Sequence, residues 1–494
     1  MRITNSMVYT SVIRNTNAAL ARYYALNEQN ASEKRINRPS DDPAGTATVL
    51  SLRNHLAVLE QYQKNIDMAS AALAAADDAL GTVSELITSA KELAEQGATG
   101  TLSASQREIL AEEVRQLMEQ MLTQANTEYL GDSIFAGQRT DGSAYVLTLA
   151  ADVAGPTLAG ADVLAVSGDA THTVQVEFLD SGTVGGAADL GYRWSADGGT
   201  TWTTATLAAG DTTLTLGSCS VTLASGAAVS GEADAAGQST LTVRPAALYQ
   251  GDAKDGAVVR HAGSSPVNAT ASGVFASKVV VRIDADADLG SAIAYSYSTD
   301  GGASWVTGNS ATGGVLTVPG GTLTLTAGGG TDLYAGDQFT LVPEEADIAV
   351  AVSDGTSVVV NNVGKDIFGG LYQAVGSTQA SAVSGGNLFE TMGRLVAALE
   401  TNDMDAVAQC LVDLDTAQET VLRGAASVGA RESRLASIEA ALVLRKESDT
   451  QLMSAIEDAD LVTLMTKLQA AQTAYTSVVE TSAEIMTLSM VDLL

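Results

Sequence analysis

Residues 52–94 read LRNHLAVLEQYQKNIDMASAALAAADDALGTVSELITSAKELA, and Leu52, Leu56, Leu59, Tyr62, Ile66, Ala69 and Leu73 open a series running on through Leu80, Ile87 and Ala94 at steps of three and four. A single slip falls between Leu59 and Tyr62. Such a stripe predicts a coiled-coil seam many turns long, buried either inside one chain or between copies. Its start is marked by Ser40-Asp41-Asp42-Pro43, where a carboxylate can cap free N–H groups and proline suits the first helical position. Glycines at 97 and 100 mark its stop. Ser103 with Gln106 then forms a capping-box pattern, and Leu110, Val114, Leu117 and Met121 carry a second stripe, so the two helices are expected to form an antiparallel hairpin.

The C-terminal part supplies a further pair. Leu435, Ile438, Leu442, Leu452 and Ile456 share one seam, interrupted by Arg445 and Asp449. After Glu457-Asp458-Ala459-Asp460 a last helix carries Leu464, Leu468, Ala471, Tyr475, Val478 and Ile485. At the other end Ile13, Leu20 and Tyr24 lie on an Ala-rich helix with few bulky anchors. A pair so poor in large side chains is marginal alone, so Ile13, Leu20, Tyr24, Leu464, Leu468, Tyr475, Val478 and Ile485 are expected to pack between copies of the chain.

Between the helical flanks, residues 146–363 are rich in Gly, Thr and Val with alternating apolar positions, a β pattern. An internal repeat runs through this part. Tyr192-Arg193-Trp194-Ser195-Ala196-Asp197-Gly198-Gly199-Thr200-Thr201-Trp202 returns as Tyr295-Ser296-Tyr297-Ser298-Thr299-Asp300-Gly301-Gly302-Ala303-Ser304-Trp305. Two related β modules follow. Asp-Gly-Gly predicts a hairpin turn in each, and Asp354-Gly355 a further hairpin. The expected fold class is therefore α+β and multidomain: a long antiparallel helical coiled coil or bundle formed by the N- and C-terminal segments, with an inserted all-β region of two repeated modules. The divisions are 1–40, a terminal assembly helix flexible in the monomer; 41–145, helical core; 146–270 and 271–363, the β modules; 364–457, helical core; and 458–494, the second assembly helix.

Composition narrows the function. The formal charge of −32, from 26 Lys and Arg against 58 Asp and Glu, repels phosphate backbones and anionic lipid, so neither nucleic acid nor membrane is an expected partner. No apolar run approaches membrane-spanning length, and the opening residues lack the apolar core of a cleaved secretory signal. Cys219 and Cys410 lie too far apart in character to suggest a disulfide framework. His55, His172 and His261 show no ligand spacing, and no phosphate-binding loop is present, so neither an enzyme nor a cofactor is expected. Asp284, Asp286 and Asp288 alternate as a calcium loop does, but Gly290 falls one place late and Tyr295 stands where the bidentate Glu belongs. The two Ser-x-Asp-x-Gly-x-x-Trp segments fit the Asp-box pattern, whose physical content is a hairpin turn with a packed Trp.

Lys34-Arg35-Ile36-Asn37-Arg38-Pro39-Ser40-Asp41-Asp42-Pro43-Ala44-Gly45 resembles the segment joining the first two helices of flagellins and hook-associated proteins, and Ala455-Ile456-Glu457-Asp458-Ala459-Asp460 is similar to the matching C-terminal turn. Arg423-Gly424-Ala425-Ala426-Ser427-Val428-Gly429-Ala430-Arg431 fits the same superfamily. Gly131-Asp132-Ser133-Ile134-Phe135-Ala136-Gly137, the opening Met1-Arg2-Ile3-Thr4-Asn5-Ser6-Met7 and Gly364-Lys365-Asp366-Ile367-Phe368 resemble the hook-associated proteins of the FlgL type, the hook–filament junction branch, more than major flagellin. The resemblance spans the first 145 and last 130 residues. It implies an extracellular structural subunit of the bacterial flagellum, exported without a cleaved signal through the flagellar type III apparatus. Its implied partners are the first hook-associated protein, flagellin, a ring of its own copies and an export chaperone. The alternatives are major flagellin itself and, from another class, glycan binding in the β region.

Overall fold

The structure is a computed structural model that describes residues 5–491 apart from 235–236, 253–256, 274, 276–277, 344–345, 374–378 and 384; the side chains of 5, 6, 8 and 485–491 lie outside the description. The fold is α+β, as expected. Its helices are α1 Asn5–Ser32, α2 Pro43–Gly97, α3 Ala104–Ala125, the short α4 Gly364–Ile367, α5 Leu388–Glu400, α6 Met404–Glu457 and α7 Leu461–Val491. By contacts the chain divides into two compact units, Met1–Met68 with Ala351–Ser357 and Arg434–Leu494, and Ala69–Val350 with Val358–Ser433.

In the second unit the seam of α2 is dry. Leu73, Leu80, Val83, Ile87, Ala90 and Ala94 are fully buried, as are Val407, Leu414, Val421 and Val428 of α6. Each such Leu or Ile contributes about 1.5–3 kcal/mol relative to exposure. The helices run antiparallel, since Lys91 pairs with Asp415 and the Gln418 amide meets Thr88. The Ser103–Gln106 capping box forms at α3, whose buried stripe is Leu110, Val114, Met118 and Met121, with Leu117 only half-buried. Arg107 wraps the preceding turn: Nε donates to Gly97 O at 2.8 Å, Nη2 to Thr99 O at 2.7 Å and Nη1 to Leu102 O at 3.0 Å. That closes the helix C-terminal carbonyls which the glycine stop leaves open.

The β region shows two strand arrangements in the same order. Strand Thr240–Tyr249 pairs with Tyr145–Ala154 on one side and leads through Val174–Phe178 and Leu190–Ser195 to Thr203–Leu207. Further along the chain, strand Gln338–Pro343 pairs with Ala257–Ala262 and leads through Val279–Ile283 and Ala292–Ser298 to Val306–Thr312. A three-stranded sheet accompanies each, Val163–Gly168, Cys219–Leu223 and Thr213–Leu216 in the first and Val267–Gly273, Gly321–Ala327 and Val315–Val318 in the second. Side chains from both sheets share one core: Val174, Val176 and Phe178 with Leu214, Leu216 and Val221, then Val279, Val281 and Ile283 with Leu316, Leu323 and Leu325. The alternation that predicted strands is thus the alternation of a sandwich interior. Tyr192 Oη donates to Thr215 O at 3.0 Å, and Tyr295 Oη to Thr317 O at 2.7 Å.

Arg244, 2% exposed, joins the first β region to α5. Its Nε and Nη2 donate to the two oxygens of Asp152 at 2.6 and 2.8 Å, and Nη2 also reaches Glu390 at 2.6 Å. Close helix approach is needed there. A Cβ on Gly393 of α5 would stand 2.1 Å from Pro245 O.

Candidate assembly interface

Within the first unit α1 and α7 lie side by side and antiparallel. The rings of Tyr23 and Tyr475 stack at 6.3 Å between centroids and 14° between planes, and the hydroxyls of Thr16 and Ser482 meet at 3.4 Å. On α7 the least exposed positions are Leu464, Leu468, Ala471, Tyr475, Val478 and Ser482; on α1 Val12, Thr16, Ala19, Tyr23 and Leu26 are among the half-buried ones. Both series step by three and four, the spacing of a seam. Small side chains leave a groove of about 520 Å³ beside it, lined by Ala18, Ala19, Arg22, Lys467, Ala470, Ala471 and Ala474.

Of the terminal residues singled out from sequence, Leu464, Leu468, Tyr475 and Val478 therefore face α1 of the same chain. Leu20 is half-buried, while Ile13 and Tyr24 are 51% and 61% exposed on a neighbouring face. The side chain of Ile485 lies outside the described residues. The stripe used on α1 is rotated by one residue from Ile13, Leu20 and Tyr24. With so few bulky side chains, two overlapping stripes are available on α1, and the sequence alone does not choose between them. Val462 at 79% and Met465 at 54% extend the bare apolar surface onto α7.

The chain between α1 and α2 clamps the turn between α6 and α7. Glu33 adopts φ 56°, and its carbonyl accepts from Ala459 N at 2.9 Å, while Arg35 N donates to Glu457 O at 2.7 Å. The Arg35 guanidinium donates to Ile456 O at 3.2 Å from Nε and 2.7 Å from Nη2. Lys34 and Arg53 both reach Glu457 Oε1 at 2.5 Å, and the Glu457 side chain is 5% exposed. Two cations on one buried carboxylate tie this turn to both α1's exit and α2. Asp41 accepts from Asn37 N and Arg38 N, and Asp42 from Gly45 N at 2.9 Å, so the predicted cap precedes Pro43. The Gly45 N–H, then the Arg35 guanidinium, outweigh desolvation and hold the Asp42 carboxyl below its ordinary range. Asp460 caps α7 through Val462 N, Thr463 N and the Thr463 hydroxyl, and that hydroxyl lowers its pKa most.

Several contacts here were not foreseen. Asp449, read as an interruption of the α6 stripe, receives His55 Nδ1 at 2.6 Å, and Gln63 Nε2 donates to Glu439 at 3.0 Å. The signal was present, since His55 and Asp449 are both polar beside seam positions. A pair of that kind fixes the register of two facing helices.

The remaining candidates lie apart from one another. Asp284 accepts from Ser296 Oγ, Asp286 from Ala335 N and Asp288 from Gly290 N and Thr331 Oγ1. The calcium-loop residues are thus taken up by separate partners, and among the described residues no three His, Cys, Asp or Glu converge as a metal site. His55, His172 and His261 each sit beside a different carboxylate, and both cysteines are buried thiols. Both Asp boxes close their own turns: Asp197 accepts from Thr201 N at 2.8 Å and Asp300 from Ser304 N at 2.9 Å, and Trp202 Nε1 donates to Gly199 O at 2.9 Å. Gly199 and Gly302 take φ of 86° and 102°, which the turn requires. No helix among the described residues is long and apolar enough to cross a membrane.

Comparison with known proteins bears on the flank that carries this clamp. Residues 3–140 match the model of the bacterial flagellin N-terminal helical region. Flagellar hook-associated protein 3 of Salmonella typhimurium is 30% identical over 146 residues, 29% of this chain and 46% of that protein; the Escherichia coli protein of the same name is 31% identical over 142 residues, 28% and 45%. The match spans about half the length of these relatives. A putative flagellar hook-associated protein of Vibrio parahaemolyticus aligns in structure over 85% of this chain and all of its own, at 13% identity and a TM-score of 0.39. The similarity to these relatives thus lies with a stretch that includes the bacterial flagellin N-terminal helical type.

Proposed function

We propose, on the premise that the N-terminal flank is of the bacterial flagellin type, that this chain is a structural subunit of the flagellum seated at the hook–filament junction. The observation carrying this reading is the clamped pair α1 and α7: a helical pair assembled by one chain whose outer face still presents Ile13, Tyr24, Val462 and Met465 to solvent. Neighbouring copies cover that face by coiled-coil packing, forming a ring between the first hook-associated protein and flagellin. An export chaperone holds the C-terminal helices while the chain passes unfolded to the extracellular end of the hook, and the terminal helices gain their full burial on assembly. The work of the chain is mechanical, with no catalytic step. The two β arrangements are copies of one module, a reading supported by their common strand order and by the matched Ser195–Asp197 and Ser298–Asp300 turns. Immunogold labelling of a tagged chain on intact flagella tests the assignment. Label confined to the hook–filament boundary is expected, whereas label along the filament identifies a flagellin instead.

A further inference from the structure

Lys365, on α4, directs its ammonium onto the carboxylate of Asp252. The two side chains are 17% and 4% exposed. The other Lys–carboxylate pairs among the described residues leave one partner open to water, Lys34 at 42% beside Glu457 and Asp415 at 67% beside Lys91. A row of aromatic rings begins at the pair. Lys365 Nζ stands 4.4 Å from the centre of the Tyr372 ring, which lies 6.0 Å from Tyr249, itself 5.1 Å from Tyr145. Burial, then the charges of Asp252 and Asp366, push the Tyr249 hydroxyl up. Asp252 is held at φ 69°, with its N–H donating to Ala136 O at 2.7 Å.

An ammonium and a carboxylate resist condensation in water because hydration stabilises both ions. Where little water reaches the pair that hydration is reduced, and two groups held in contact react as one molecule. From this contact, its burial and the aromatic ring against the ammonium, we infer that Lys365 Nζ and Asp252 Cγ join in an intramolecular amide. A proton passes from the ammonium to a carboxylate oxygen, and the amine lone pair then attacks Cγ. The C–N bond forms as the C–OH bond breaks, and the hydroxyl leaves with a second nitrogen proton as water. Charges and atoms balance without oxidant, cofactor or partner.

The position gives the bond a use. Asp252 precedes and Lys365 follows the second β arrangement, which runs from Ala257 to Pro343. A link between residues 113 apart in sequence closes that region at its base, so tension applied to it is borne by a covalent bond. This inference is independent of the assembly reading.

The test is mass spectrometry of the purified full-length chain after complete unfolding, followed by peptide mapping. The expected result is a mass one water below that of the sequence and a branched peptide joining the segments that hold Asp252 and Lys365. Lys365→Arg keeps the ion pair but carries a poor nucleophile, and it should show the full mass and no branch. A wild-type chain of full mass overturns the inference. A loss of water without the branched peptide, as when an aspartate cyclises onto its own backbone, overturns it equally.

Discussion

Gly45 decides how α2 begins. A Cβ there would stand 2.5 Å from Asp42 Oδ2 and 2.7 Å from Ile36 Cδ1, so Gly45→Ala must push the capping carboxylate off its N–H. The loss of the cap costs about 1 kcal/mol, and faster proteolysis within residues 33–42 of the variant is the expected readout. Arg244 makes the larger single contribution. Arg244→Met strands Glu390, 3% exposed, and should destabilise its unit by about 3–5 kcal/mol in urea unfolding, with Arg244→Met combined with Glu390→Gln recovering part of the loss. The Asp boxes predict an acid response. The Thr201 hydroxyl and N–H and the Ser195 hydroxyl bring the Asp197 carboxyl down to about 2, and equivalent donors lower Asp300 further. A carboxylate depressed on folding stabilises fully above its unfolded pKa of about 4 and loses that contribution as pH falls through the folded value. Fluorescence of Trp202 and Trp305 should therefore hold steady through about pH 4 and change only as pH falls towards about 2. In Asp197→Asn the Trp202 part of that change should vanish.

Among the elements, the helical stripes were the most legible part of the sequence, because bulky apolar residues at regular steps leave one face to bury. Leu73, Leu80, Ile87 and Ala94 all lie in the α2 seam. Legibility failed where side chains are small: on Ala-rich α1, Val12 and Tyr23 are half-buried while Ile13 and Tyr24, read from the sequence, stand exposed. It failed too where a polar residue has a distant partner, as with His55 and Asp449, since sequence shows the interruption but not what answers it. The cap at Asp42 and the Asp-Gly-Gly turns were readable because their bonds are local. The clamp was half readable. Its segments were recognisable, but Lys34 and Arg53 converging on Glu457 joins residues some 400 apart in the chain. The seam pair yields a prediction at this scale. Asp449→Leu alone should destabilise the terminal unit by leaving His55 opposite a leucine, and the double His55→Leu, Asp449→Leu replacement should restore or exceed the original stability in a thermal melt.

For the molecule as a whole, a net charge of −32 keeps separate chains apart in dilute solution, so association must come from specific apolar contact. On the proposed reading the terminal helices supply such contact. Their inner faces meet each other within one chain, and Ile13, Tyr24, Val462 and Met465 stand exposed outside that contact. Replacing Ile13 and Tyr24 by Asp tests this without touching the α1–α7 stripe. Electron microscopy of cells carrying only the doubly substituted chain is the decisive measurement, with circular dichroism confirming that the purified monomer keeps its helix content. Hooks that end without filaments are predicted, and filaments of ordinary number and length on those cells would contradict the account.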